Sequence, residues 1–319
     1  MWKTARMRKA VLFVFALLVV ATVGGSIYMI DYALAPNPNR ADMDGRIGRL
    51  RSEHPEVVGW LDSLRENGLL RDTFVTMSNQ ERHHAYYVAN PQAHGRIALL
   101  LHGWRDNSIG MLHIGHIYHR LMGCNILLPD FHAHGQSDGK LIQMGWKDRS
   151  DILRWVGVAE QLFRDSVYPS SMVLHGISMG AAAAMYVSGE NTPDCVKCFV
   201  EDCGYTSVWD EFRYELREEF GLPSFPLLFA ASAFCKWRNG WSFGEADAVA
   251  SVSRCHKPML FIHGDSDTFV PSWMVHPCYD AKPQPKELWV TKGCDHNRSY
   301  TDYRLIYINK VSTFVGKYL

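Results

Sequence analysis

The stretch Met172-Val173-Leu174-His175-Gly176-Ile177-Ser178-Met179-Gly180-Ala181 constrains the fold of this chain more than any other. An apolar strand signal runs straight into an alanine-rich helix signal, with only a G-x-S-x-G corner between them. Such a sharp corner presses strand and helix backbones together, so the serine needs flanking residues without side chains. The Ser178 hydroxyl then stands outside the corner. The positive end of the helix lies behind it, where negative charge is favoured.

The rest of the chain supplies a sheet to carry that corner. Ile97–Leu101, Asn125–Leu128, Met172–His175, Cys198–Glu201, Met259–His263 and Glu287–Thr291 are short, nearly unbroken apolar runs. Strands read this way when helices cover both faces of the sheet. Helical patterns separate them at about Met111–Leu121, Asp148–Phe163, Ser178–Ser188 and Pro271–Ala281, and Tyr300–Tyr318 closes the chain. The alternation predicts a doubly wound, mostly parallel α/β sheet. Thr73–Met77 and His83–Val88, separated by Asn79 and Gln80, predict an antiparallel hairpin at its start. Pro55–Asn67 predicts an amphipathic helix that Gly68 can stop. Ligands of such sheets bind at the carboxyl ends of the strands, so the chemistry belongs in the loops that follow them.

Those loops hold a consistent set. A serine hydroxyl needs a base to take its proton, and His296 follows the last strand in Gly293-Cys294-Asp295-His296. The preceding strand leads into Gly264-Asp265-Ser266-Asp267, which offers Asp265 and Asp267 as the acid that orients the histidine. Spacing leaves both open, and Asp265 has a second possible role in bonding turn amides. An oxyanion needs two N–H donors. Met179, directly after the serine, is one candidate. Trp104, in His102-Gly103-Trp104-Arg105-Asp106-Asn107, is the other.

These motifs together resemble the α/β-hydrolase superfamily. The resemblance rests on His102-Gly103-Trp104, on Asp130-Phe131-His132-Ala133-His134-Gly135-Gln136-Ser137-Asp138-Gly139, on Gly176-Ile177-Ser178-Met179-Gly180, on His263-Gly264-x-x-Asp267-x-x-Val270-Pro271 and on Gly293-x-x-His296. It runs from about Thr73 to the C-terminus. Within the superfamily the chain is similar to bacterial membrane-anchored or exported hydrolases grouped with serine aminopeptidase-like and acyl-peptidase-like enzymes. Ala133 stands where glycine is usual, at a position without a catalytic role. The resemblance implies Asp267 as the acid of a Ser178–His296–Asp267 triad. Those roles give an acyl-enzyme mechanism, expected on carboxylic esters of small-molecule or peptide acyl substrates, with a peptidase or acyltransferase as the alternative. No metal or organic cofactor is required for that chemistry.

Other features set boundaries. Lys3, Arg6, Arg8 and Lys9 precede an apolar run from Ala10 to Ile30, about long enough to cross a bilayer with its basic flank in the cytoplasm. Residues 1–35 are therefore expected to be a signal anchor, or a signal peptide cut after Ala33-Leu34-Ala35, and residues 36–319 the catalytic domain. The anchor would place that domain outside the cytoplasm; cleavage would release it as a secreted or periplasmic enzyme. Lys plus Arg and Asp plus Glu both number 33, which leaves no basic footprint for nucleic acid. About 205–252 interrupts the strand–helix alternation with many aromatics. It is expected to form a helical cap over Ser178, lining an apolar acyl site. The eight cysteines are scattered through a domain large enough not to need stapling. Cys195-Val196-Lys197-Cys198 lacks the second pair or histidines of a zinc site. His113, His116 and His119 on one helix, with His132 and His134 in the next loop, lack a carboxylate at a recognised spacing and are expected to pack. His83 and His84 should face opposite sides of their strand.

Overall fold

The computed structural model describes residues 2–319, with side chains from Arg6 onward, so the side chain of Lys3 lies outside the described residues. In chain order the elements are α1 (Trp2–Leu34), α2 (Met43–Glu53), α3 (Val58–Glu66), β1 (Arg71–Thr76), β2 (Arg82–Val88), β3 (Arg96–Leu101), α4 (Leu112–His116), β4 (Asn125–Pro129), α5 (Arg149–Leu162), β5 (Ser171–Ile177), α6 (Met179–Ser188), β6 (Val196–Asp202), α7 (Val208–Phe220), α8 (Leu227–Asn239), α9 (Ala248–Val252), β7 (Met259–Gly264), α10 (Val275–Ala281), β8 (Lys286–Thr291), α11 (Ser299–Asp302) and α12 (Arg304–Val315). They divide into two compact units. One joins the chain up to Ala35 with Val208–Ala246, and the other holds Pro36–Ser207 and Asp247–Leu319.

The larger unit is built on one eight-stranded sheet of order β1-β2-β4-β3-β5-β6-β7-β8. β1, β2 and β4 pair antiparallel; from β4 through β8 every pairing is parallel. After β3 the chain steps out to β4 and then returns to the other side of β3 as β5. That reversal opens a crevice at the carboxyl ends of β3 and β5, and β5 ends at Ile177, immediately before Ser178. Ala98, Leu100, Ile126, Leu128, Val173, Val200 and Ile262 form a core with Leu112 and Ile117 and with Tyr307, Val311 and Phe314 of α12. On α6, Ala181 through Ala184 are all fully buried. Side chains this small let a helix lie close on a sheet, which accounts for the alanine run.

The strands and the hairpin form as the apolar runs predict, with ends shifted by at most two residues. The helices starting at Pro55 and Pro271 open with a 3₁₀ turn, and two others differ more. Met111–Leu121 becomes a 3₁₀ turn, the short α4 and a π turn, and the C-terminal helix breaks at Tyr303 into α11 and α12. α2 was not anticipated. The Asp42 carboxylate accepts from Gly45 N–H at 2.9 Å to cap its start, but only Ile47 and Leu50 of its residues are buried. Two apolar positions are too few to show a helical period.

In the smaller unit α7 and α8 pack on α1. Ser26 Oγ on α1 reaches Leu227 O at 3.2 Å, and a Cβ on Gly25 would stand 2.9 Å from Leu227 Cδ1. Tyr32 donates to Glu219 at 3.1 Å and meets the Phe220 ring edge-on. Arg238 pairs with Asp31 at 3.4 Å. These contacts join segments about two hundred residues apart, so no local pattern announces them. Trp209 meets Phe229, and Phe212 and Trp241 meet Phe243. Phe225 (73% exposed), Phe229 (53%) and Trp237 (79%) nevertheless remain open. Arg6–Leu34 of α1 is long and apolar enough to cross a membrane, by length and composition.

Candidate active site

Ser178 sits at φ 57° and ψ −119° between β5 and α6, a backbone conformation that persists only where its surroundings enforce it. The two glycines do so by close approach. A Cβ on Gly176 would strike Gly180 O, and one on Gly180 would strike the carbonyls of Leu101 and His102. Ser178 N–H is held by Asp202 O at 2.8 Å.

The loops after β7 and β8 bring the partners. His296 Nε2 lies 3.0 Å from Ser178 Oγ, and His296 Nδ1 lies 2.8 Å from Asp267 Oδ2. Asp267 Oδ1 accepts the amides of Phe269 and Val270 at 3.0 and 2.9 Å. Burial pushes the Asp267 carboxyl up, but side-chain hydrogen bonds with His263 and His296 outweigh burial and hold it at about 2. An ionised, buried carboxylate there fixes the imidazole tautomer that leaves Nε2 free to accept the serine proton. Asp265 has the other role open to it: its Oδ1 accepts Gly293 N–H and so ties the β7 loop to the β8 loop. Asp295 Oδ1 adds a second tie, accepting Thr268 and His296 amides at 3.2 and 2.8 Å.

The loop after β3 is aligned by two histidines. His102 donates from Nδ1 to Gly103 O at 2.8 Å and accepts Phe131 N–H on Nε2 at 3.1 Å. His134 donates from Nδ1 to His132 O at 2.9 Å and accepts Arg105 N–H on Nε2 at 3.1 Å. Burial lowers the pKa of both and brings His134 to about 3, so each is a neutral strut. They fasten the segment carrying Trp104 to the loop after β4. Met179 is the first residue of α6, where N–H groups lack intrahelical partners.

A chamber of about 200 Å³ opens against Ser178 and His296, below the 300–1,000 Å³ common for drug-sized ligands. Trp104 and Phe269 line it beside Arg46, Glu53, His54, Asp106 and His113. This wall is mixed charged and aromatic. Arg46 pairs with Asp106 at 2.6 Å and Glu53 at 3.2 Å, and His54 stacks on His113 with centroids 4.2 Å apart. Arg46, Glu53 and His54 come from α2 and its end, so an unanticipated helix supplies residues that sequence reasoning missed. Beneath the corner lies a second unanticipated group. Tyr118 donates to His175 Nδ1 at 2.9 Å, His175 Nε2 donates to Tyr307 at 3.1 Å, and Tyr307 donates to Asp202 at 2.8 Å. Burial raises Asp202 to about 6 and lowers His175 to about 3.

His113, His116 and His119 do not converge on one point. His116 and His119 flank Trp60, His113 bonds Gly110 O and His134 holds Arg105. His83 and His84 face opposite ways, His84 meeting Asp130 at 2.7 Å. All eight cysteines are buried, Cys195 and Cys198 included.

No family model matches the chain. A Bacillus subtilis protein named YqkD, itself uncharacterised, is 32% identical over 230 residues, covering 72% of this chain and 74% of that one. The Arabidopsis thaliana α/β hydrolase domain-containing protein WAV2 is 25% identical over 67% of each chain. Among solved structures, an esterase of Pyrococcus furiosus superposes with a TM-score of 0.63 at 22% identity, over 78% of this chain and 90% of that one. An acylaminoacyl peptidase bound to a chloromethyl ketone superposes at 0.55 and 15% identity, over 78% of this chain and 41% of that one. The chain belongs to one family with YqkD, its kin over nearly three quarters of its length, and its sheet is that of the α/β-hydrolase fold seen in these solved structures.

Proposed function

We propose that the protein is a serine hydrolase that cleaves carboxylic esters through an acyl-enzyme. The observation that carries the reading is the continuous hydrogen-bonded line from Ser178 Oγ through His296 to buried Asp267. In this mechanism Ser178 Oγ attacks the carbonyl carbon as His296 Nε2 takes its proton. The amides of Met179 and Trp104 receive the developing oxyanion, and Asp267 stabilises the imidazolium. The histidine then gives the proton to the leaving alcohol. Water, activated by the same imidazole, releases the acid.

The small chamber with charged walls suits short or polar acyl groups better than long alkyl chains. A second reading, cleavage of aminoacyl amides or peptides, is favoured by one observation: Glu53 and Asp106 carry carboxylates on the chamber wall, the charge that a substrate's free amine requires. Measuring kcat/KM for p-nitrophenyl esters from acetyl to decanoyl, and for aminoacyl p-nitroanilides, separates the readings. The ester reading expects activity highest on the short acyl esters and at least about a hundredfold weaker on the anilides. The reverse ranking would make the protein a peptidase.

The same proposal places α1 across a membrane as an uncleaved anchor, with Pro36 onward outside the cytoplasm. The basic residues before the apolar run support that direction. Phe225, Phe229 and Trp237 then sit beside the outward end of the anchor, where aromatic side chains favour the bilayer interface. Protease added to spheroplasts should digest the catalytic unit, whereas a protected unit would reverse the topology.

A further inference from the structure

The structure assigns a site for a zinc-type divalent metal ion to Glu81, His83 and His132, away from Ser178 and independent of its chemistry. Glu81 precedes β2, His83 lies on it, and His132 belongs to the loop after β4. One donor atom from each of the three lies within 4.8 Å of the others. His132 Nδ1 is 2.8 Å from Glu81 Oε2, and His83 Nε2 is 3.6 Å from that same oxygen. Ligand atoms about 2.0–2.2 Å from one zinc ion stand roughly 3.3–3.6 Å apart in a tetrahedron, so these positions need only tenths of an ångström to an ångström of adjustment.

Two features separate this group from an ordinary buried ion pair. His83 is 1% exposed, yet neither of its ring nitrogens has a hydrogen-bond partner. Burying a polar group without one is costly. His132 Nδ1 likewise lies off the line of a hydrogen bond to Glu81 despite its closeness. The three groups therefore converge without satisfying one another, as ligands do around a shared centre. Asp151 Oδ2, 3.6 Å from His83 Nδ1, lies on the far side of the ring from Glu81. That is the place of the carboxylate that orients a metal-bound imidazole. Arg40 and Lys147 act on His132 in the opposite sense, so the surroundings are not simply anionic.

The ligand set selects the metal. Two imidazoles and one carboxylate suit zinc and its neighbours, whereas magnesium and calcium prefer all-oxygen sites. Cys203, Asp267 and His296 also converge, but both nitrogens of His296 and both oxygens of Asp267 are already hydrogen-bonded. An ion held by Glu81, His83 and His132 would clamp the start of β2 to the loop whose Phe131 and His134 align the Trp104 segment. Its effect on catalysis would be to position that segment, without contact with substrate.

The test uses the full chain in detergent, stripped with a chelator and titrated with Zn²⁺ and, separately, Co²⁺. We expect one equivalent to bind, a Tm that rises with Zn²⁺ concentration, and a visible Co²⁺ spectrum of low coordination number. Glu81→Gln, His83→Gln and His132→Gln should each weaken Zn²⁺ binding at least about tenfold, and Asp267→Asn should leave it unchanged. Glu81 is partly exposed, so Glu81→Gln keeps the fold even where a change at buried His83 does not. Absence of binding, binding undiminished in Glu81→Gln and His132→Gln, or loss in Asp267→Asn, would overturn the assignment.

Discussion

The corner at Ser178 and the segment Val208–Ala246 are both departures from a plain strand–helix alternation, yet they are built in opposite ways. At the corner every neighbour is backbone: Gly176 meets Gly180, and Gly180 meets Leu101 and His102. The geometry there is over-determined, and very few residues satisfy it. In the segment, large rings are shared loosely among α1, α7 and α8, and Trp237 and Phe225 stay open. The corner shows how steric necessity writes itself into a short motif. The segment shows that aromatic richness alone does not say what the aromatics face, because its partner α1 lies two hundred residues away.

The comparison can be broken first at the chemistry. Ser178→Ala should lower kcat by about 10⁴-fold or more, and Asp267→Asn by about 10³–10⁴-fold, each with Tm nearly unchanged. Trp237→Ala, in the exposed part of the segment, should leave kcat for a small soluble ester within about twofold. A tenfold loss there would mean that the segment takes part in turnover.

Stability sharpens it next. A methyl group on Gly180 meets backbone that cannot yield, so Gly180→Ala should cost about 3 kcal/mol or more. Gly221 in the segment has φ +64° and open space around it, so Gly221→Ala should cost only about 1 kcal/mol of left-handed strain. Urea midpoints of the two variants decide it. Equal costs would remove the contrast.

The pH dependence of stability provides a third test, within the larger unit. Burial raises Glu201 to about 8, so the folded state keeps a proton that the unfolded state loses near about 4.3. Through this group the folded state binds more protons over that window, so Glu201 should lower stability as pH rises from about 4 to 8, by at most about 1.4 kcal/mol per pH unit. Asp267, held at about 2, has the opposite sign: its contribution is full above about 4 and fades as pH falls toward 2. Glu201→Gln should remove its share of that slope, leave the share of Asp148 and Asp202, which burial raises to about 8 and about 6, and leave the acid limb untouched. An unchanged upper window would show that Glu201 does not control it.

The smallest effect concerns the segment's surroundings. All native cysteines are buried, so an environment-sensitive label reacts selectively at Phe225→Cys or at Val167→Cys, an exposed position of the larger unit. In the full chain reconstituted into vesicles, lipid-borne quenchers should quench the label at 225 about twofold or more over that at 167. Equal quenching would leave the segment in water.

Much of this architecture was legible in the sequence because its causes are local. Parallel strands buried on both faces must be apolar throughout, which exposes β3 to β7 as a series. The corner at Ser178 admits almost nothing but glycine at its flanks. His296 and Asp267 stand out because the loops after β7 and β8 are where such a sheet places its chemistry. What escaped notice is non-local. α2 has too few buried residues to mark itself, although it lines the chamber with Arg46 and Glu53. Glu81 lies fifty-one positions before His132, so no ligand spacing connects them. The packing of α8 on α1 likewise follows from the completed fold alone.

Covalent labelling can establish whether Ser178 is the nucleophile. The full-length protein would be treated with a fluorophosphonate, digested and mapped by mass spectrometry, with Ser178→Ala and His296→Ala in parallel. One adduct is expected, on Ser178, absent from Ser178→Ala and formed at least about a thousandfold more slowly in His296→Ala. An adduct on another residue, or hydrolytic activity undiminished in Ser178→Ala, would contradict it.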